Sequence, residues 1–152
     1  MIEFSGKLSG KAKFYFIKTE AIVGFVSSII PSIIVCFLIW KYFAHWFLYI
    51  VIPVLLFVII IITVVTPNMH YNAIMPMRII IEKDIIKLEN LKVNETKLIE
   101  HIKQIVDKGE YYKLKFYFPY KSGRFICQKS LITKGTIHDF EMTFANKIKK
   151  EN

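Results

Sequence analysis

Cysteine is almost missing: the 152 residues include only Cys36 and Cys127. One lies in a long apolar run and the other in a β-like stretch, so no disulfide between them is expected, and both read as reduced packing residues. The six glycines occur singly, which excludes a Gly-rich phosphate loop and a GxGxxG turn. No GxSxG, HExxH or CxxC occurs, and His45, His70, His101 and His138 show no metal-ligand spacing. His138, Asp139 and Glu141 read as the solvated start of a helix. No acid, base, nucleophile or metal constellation can be assembled, so the expectation is a non-enzyme with no catalytic residue, metal or cofactor.

The most informative absence is of charge. Residues 21–40 and 46–65 contain no Lys, Arg, Asp, Glu or His, and 33 of these 40 residues are hydrophobic. At about 1.5 Å per residue each run spans the apolar core of a bilayer as a helix. Acids inside the runs are lacking too, which argues against a proton-coupled transporter or an intramembrane hydrolase. The first run is longer than a signal-peptide core, so both are expected to remain in the mature protein.

What is present is charge everywhere else. The formal net charge is +9, from 21 basic and 12 acidic residues. Only residues 41–45 separate the two runs, which predicts an antiparallel transmembrane hairpin. Lys7, Lys11, Lys13 and Lys18 precede the first run and Arg78 follows the second, against Lys41 in the link. By the positive-inside rule both termini are expected in the cytoplasm, with the protein multi-pass in the cell (inner) membrane. Phe14, Tyr15 and Phe16 at one end, and Trp40, Tyr42, Trp46 and Tyr49 at the other, suit headgroup depth. Gly24, Ser28 and Ser32 form a small-residue stripe on the first helix, a helix-packing face for the second helix of the hairpin or for a second copy. Pro31 and Pro53 fall mid-helix.

The predicted domains are an N-terminal segment 1–20 with a short strand, helices 21–40 and 46–65 with their link 41–45, and a β-domain over 66–152. After Thr66-Pro67-Asn68 the pattern turns β-like: a strand over 77–81, a turn at Glu82-Lys83-Asp84, and a partner over 85–88. Residues 97–107 fit either a short helix or two short strands, and the strand reading, with a break near Glu100-His101, is preferred. Residues 112–118 alternate, with Leu114, Phe116 and Phe118 on one face and Lys113, Lys115 and Tyr117 on the other. Residues 119–123 turn and 124–128 return. Thr136 is a candidate N-cap with Asp139 three residues on. The stripe Ile137, Phe140, Phe144, Ile148 predicts a closing helix over the sheet, its dipole met by Lys147, Lys149 and Lys150. Residues 2–4 fit an edge strand. The fold class is thus membrane α plus β: a two-helix hairpin, then a small antiparallel β-sheet or roll with a C-terminal capping helix.

Basic and aromatic residues concentrate around one hairpin: Lys113, Lys115, Tyr117, Tyr120, Lys121, Arg124 and Lys129. These are the candidate ligand-binding residues. The composition suits a phosphate-bearing ligand such as a nucleotide. It equally suits a solvated face drawn to anionic lipid headgroups, and no nucleic-acid partner is expected.

The order of parts resembles the YcxB-like family of small bacterial membrane proteins. The residues that carry the resemblance are Ile2-Glu3-Phe4-Ser5-Gly6-Lys7-Leu8, Ile105-Val106-Asp107-Lys108-Gly109-Glu110-Tyr111-Tyr112, Phe125-Ile126-Cys127-Gln128-Lys129, and residues 136–144. Gln128-Lys129 stands where that family has Pro-Lys. The resemblance implies a cytoplasmic domain like a pleckstrin-homology (PH-like) β-domain and supplies no catalytic residues. The layout also resembles membrane effectors of cyclic-oligonucleotide antiphage defence, which implies a nucleotide-gated protein that oligomerises and disrupts the membrane. A non-catalytic binding or interaction module at the membrane is the preferred expectation, and the effector is the alternative.

Overall fold

The computed structural model describes residues 1–42, 45–90, 93–120 and 122–150, which fall into two units: residues 1–16 with 72–152, and residues 17–71. Helix α1 (Gly10–Tyr42) starts eleven residues before the uncharged run and carries Lys11, Lys13 and Lys18 within it. The second helix, Leu48–Ile74, consists of α2 (Leu48–Ile60), a π-helical turn (Ile61–Val65) and α3 (Thr66–Ile74). Both are long and apolar enough to cross a membrane, and neither has any of its most apolar window buried among the described residues. A core helix of a soluble domain would be covered.

The break expected at Thr66-Pro67-Asn68 does not occur. Proline lacks an N–H and its ring crowds the carbonyl four residues back. The π turn widens the helix just before it, with the Thr66 N–H donating five residues back to the Ile61 carbonyl. The Asn68 amide then donates to the Val64 carbonyl at 2.9 Å, a side-chain bond back onto the turn around the proline.

Within this unit a β-carbon at position 24 would lie 3.1 Å from Ile62 Cγ2 and 3.3 Å from the Ile62 carbonyl oxygen. Gly24 therefore sits where the second helix approaches closest to it. Ser28 and Ser32 spend their hydroxyls on their own helix, donating to the Phe25 and Ser28 carbonyls at 2.8 Å. Ser32 and Cys36 line an apolar groove with Ile52, Leu55, Leu56 and Ile59.

The other unit holds two sheets rather than one. The first has the order β4 (Asn94–Leu98), β3 (Ile85–Glu89), β2 (Met77–Glu82), β1 (Ile2–Gly6), β8 (Ile132–Lys134), antiparallel throughout. Residues 2–4 thus form an interior strand, not an edge: β1 lies between β2 and β8. Alternation puts Phe4, Ile79, Ile81, Ile86 and Leu88 on one buried face. The turn at Lys83-Asp84 is as expected, with Lys83 at φ 45°.

The second sheet runs β7 (Ile126–Gln128), β6 (Tyr111–Phe116), β5 (Ile102–Asp107), β9 (Ile148–Lys150). The break near Glu100-His101 appears as a 3-10 turn, Ile99–His101, between β4 and β5. The β6–β7 hairpin forms, with Tyr112 opposite Cys127. Its inner face is Tyr112, Leu114 and Phe116, all buried. Phe118 does not join them, because β6 ends at Phe116 and the chain leaves the sheet.

Helix α4 (Ile137–Thr143) begins on the expected capping box: the Thr136 hydroxyl accepts from the Asp139 N–H at 3.0 Å, and the Asp139 carboxylate accepts from the Thr136 N–H at 2.8 Å. It stops at Thr143, short of the apolar stripe's last member. The Lys147 carbonyl instead accepts from the Ile105 N–H at 2.8 Å, and Ile148 pairs in parallel with Ile105. An open strand edge on β5 takes the end of the chain as a ladder partner, so Ile148, Lys149 and Lys150 are strand residues and not a helix terminus. Phe140 and Phe144 are buried as expected.

Ser9 and the first turns of α1 pack on part of the outer face of the second sheet. The Gln128 side chain accepts from the Ser9 N–H at 2.9 Å and donates to the Ser9 hydroxyl at 2.8 Å. Tyr15 packs on Tyr111 with ring centres 5.8 Å apart.

Candidate functional site

The six described basic and aromatic candidates do not converge on one pocket. Lys113 and Lys115 are two apart on β6 and share its outer face. Lys113 lies over the Tyr15 ring, 4.5 Å from its centre, while Lys115 is exposed. Lys129 is committed elsewhere: it pairs with Asp107 at 3.0 Å and lies 4.4 Å from the centre of the Tyr112 ring. Tyr117 and Tyr120 belong to the connection from β6 to β7. Arg124 is half-buried there, its N–H donating to the Ser122 hydroxyl at 3.4 Å. Lys121 lies outside the described residues.

Beside Lys129, the Tyr112 hydroxyl donates to Glu141 at 2.6 Å. Burial pushes the Tyr112 phenol up, with Glu141 adding to the effect. Glu141, expected as a solvated helix-start residue, is thus the acceptor for a buried phenol. Cys127 is fully buried, and desolvation pushes its thiol up as well, which keeps it unreactive.

Sequence reasoning missed the residues that fix the β6–β7 connection. Lys97 is only 8% exposed. It sits on β4 opposite Ile86, hence on the buried face. Its ammonium pairs with Glu95 at 3.0 Å, lies 4.5 Å from the Phe116 ring centre and 5.4 Å from that of Phe125, and donates to the Tyr120 carbonyl. The Tyr120 ring stacks on His101 at 3.8 Å, interplanar angle 7°. The Tyr117 N–H donates to the His101 carbonyl at 3.0 Å. The signal was inverted: β4 reads Lys97 then Leu98, and the leucine is the exposed one.

A second ionic cluster crosses the first sheet. Arg78 donates twice to Glu3, at 2.7 and 2.9 Å, and Lys134 approaches the same carboxylate at 3.3 Å. Glu3 is buried, and the Arg78 guanidinium beside it holds its carboxyl down at about 2, against an ordinary 4.5. As pH falls, the unfolded chain takes up this proton first. Glu3 therefore contributes stability in full above pH 4.5 and loses it progressively down to about 2. Acid titration of the β-domain's melting temperature should show this loss, and Glu3→Gln should flatten it. An unchanged profile in Glu3→Gln would show that the pair does not govern acid stability.

An open depression of about 520 Å³ lies beside Arg78, lined also by Ser5, Glu89, Asn90 and Asn94. Its cation is already engaged by Glu3, so this hollow has no spare guanidinium for an anionic ligand. Among the described residues no three His, Cys, Asp or Glu side chains gather as metal ligands. Comparison with protein-family models, with curated proteins and with solved structures returned no match.

Proposed function

We propose that this chain is a non-catalytic integral membrane protein, held by its two-helix hairpin in a bacterial cell membrane, with a PH-like binding or interaction domain on the cytoplasmic face. The observation that carries this reading is the partition of the chain. Two helices expose their apolar residues, while every Lys, Arg, Asp and Glu lies outside residues 21–40 and 46–65. The bias of Lys7, Lys11, Lys13, Lys18 and Arg78 over Lys41 supports cytoplasmic termini. Two sheets joined by a helix whose Phe140 ring touches both support the PH-like, YcxB-like reading.

Topology reporters fused to Asn152 test it. A cytoplasm-active reporter should work and an export-dependent one should stay silent, with the protein resisting alkaline extraction from membranes. A reporter active only outside the cytoplasm would invert the topology, and alkaline extraction would remove the protein from the integral class. Saturable binding of a cyclic oligonucleotide by the full chain would replace the interaction-module reading with that of a nucleotide-gated effector.

A further inference from the structure

Three aromatic residues within four positions project from the end of the β6–β7 hairpin: Tyr117 is 52% exposed, Phe118 82% and Tyr120 45%. Alternation along β6 would have placed Phe118 in the core behind Phe116. The chain leaves the sheet before it can. Single exposed apolar residues are ordinary, but three exposed aromatic residues within four positions at one hairpin end point to an interaction site.

The cluster is also held in place. Tyr120 is stacked on His101 and its carbonyl is taken by Lys97. Tyr117 is tied through its N–H to the His101 carbonyl. On the return side Ser122 donates to Glu95 at 3.5 Å and accepts from the Arg124 N–H. Both shoulders are therefore pinned to the β4–β5 region, and Phe118 stands at the tip between them. Lys115, exposed on the adjoining strand, and Arg124 on the return are the nearby cations.

We propose that this pinned aromatic tip, Tyr117, Phe118 and Tyr120 with Lys115 and Arg124 beside it, is a lipid-contacting element that seats in the headgroup layer of an anionic bilayer. The inference rests on the membrane reading above. A rigid ring with a polar or cationic neighbour is the side-chain chemistry that partitions to headgroup depth, and lysine and arginine within a Debye length are drawn to anionic lipid. A bilayer is the surface that the chain's own apolar helices bring with them.

The test uses the full chain with Cys36→Ala, spin-labelled at Phe118→Cys and reconstituted in nanodiscs of mixed phosphatidylglycerol and phosphatidylcholine. Cys127 is buried and stays unlabelled. Oxygen accessibility is expected to exceed that of an aqueous nickel complex at position 118. The order should reverse at an Asp84→Cys label, in the exposed turn at the other end of β2 from Met77. In discs of phosphatidylcholine alone the preference at 118 should weaken. An aqueous pattern at 118 in the anionic discs overturns the proposal, and so does a label shielded from both reagents, which would mean a protein partner. A Leu56→Cys label separates the two levels of inference. If it reads lipid while 118 reads water, the loop proposal alone fails; if it reads water, the membrane reading fails first.

Discussion

Phe140→Ala is expected to remove about 3–5 kcal/mol from the stability of the β-domain, the usual loss for a fully buried phenylalanine. The ring has no exposed surface. Its centre lies 5.5 Å from Phe4 in one sheet, edge to face, 4.7 Å from Tyr112 in the other, and 4.9 Å from Phe144. A helix of seven residues cannot stand alone in water. Helix α4 is held by its capping box at one end and by this ring in the middle. Since whole domains are stable by only about 5–15 kcal/mol, the truncation takes a large share of the total. Amide exchange on the reconstituted full chain reads it out, because both sheets should lose protection together. Faster exchange confined to residues 137–143 would show that the ring anchors only its own helix and does not join the sheets. Phe140→Leu should cost less, since it keeps most of the apolar volume.

Lys97→Ala ranks second, at about 3 kcal/mol, the low end for breaking a buried ion pair because Glu95 keeps some contact with water. The substitution leaves the Glu95 carboxylate without its cation, the Tyr120 carbonyl without its donor, and a gap against Phe116 and Phe125. Lys97→Met fills the gap and should recover part of the loss, and Lys97→Met with Glu95→Gln should recover more by removing the stranded charge. Denaturant midpoints for the three variants in micelles decide the matter. If methionine is as damaging as alanine, the aliphatic stem contributes nothing and the charge contacts carry the whole effect. The Tyr120 shoulder should loosen in every variant, which links this buried lysine to the presentation of Phe118.

Some of these features were legible without coordinates because they belong to neighbouring residues. The turn at Lys83-Asp84, the break near His101, the β6–β7 hairpin and the Thr136 capping box each rest on a few adjacent side chains whose period or hydrogen-bonding capacity acts locally. Readings that depended on how far an element continues went astray. The stripe ending at Ile148 has helical spacing, yet an open edge on β5 offered the last residues a ladder. In sequence Pro67 marks a boundary, while the π turn before it lets the helix run on to Ile74. Of the basic residues clustered in sequence around one hairpin, Lys113 and Lys115 share the outer face of β6 and Arg124 lies in the connection, while Lys129 is engaged in an internal pair with Asp107.

The sequence by itself determined the partition of this protein into a charge-free apolar pair of helices and a basic β-rich remainder. Hydrophobic burial in lipid is additive along a contiguous helix and needs no knowledge of what lies far off in the chain. Only the tertiary structure decided which charges are spent and which aromatics are shown. Glu3 meets Arg78 across 75 positions of sequence, and Gln128 meets Ser9 across 119. Those partners are set by strand order and register, in which a shift of one residue exchanges the buried face for the exposed one. That is how a lysine came to lie in the core of this protein and a phenylalanine at the tip of a loop.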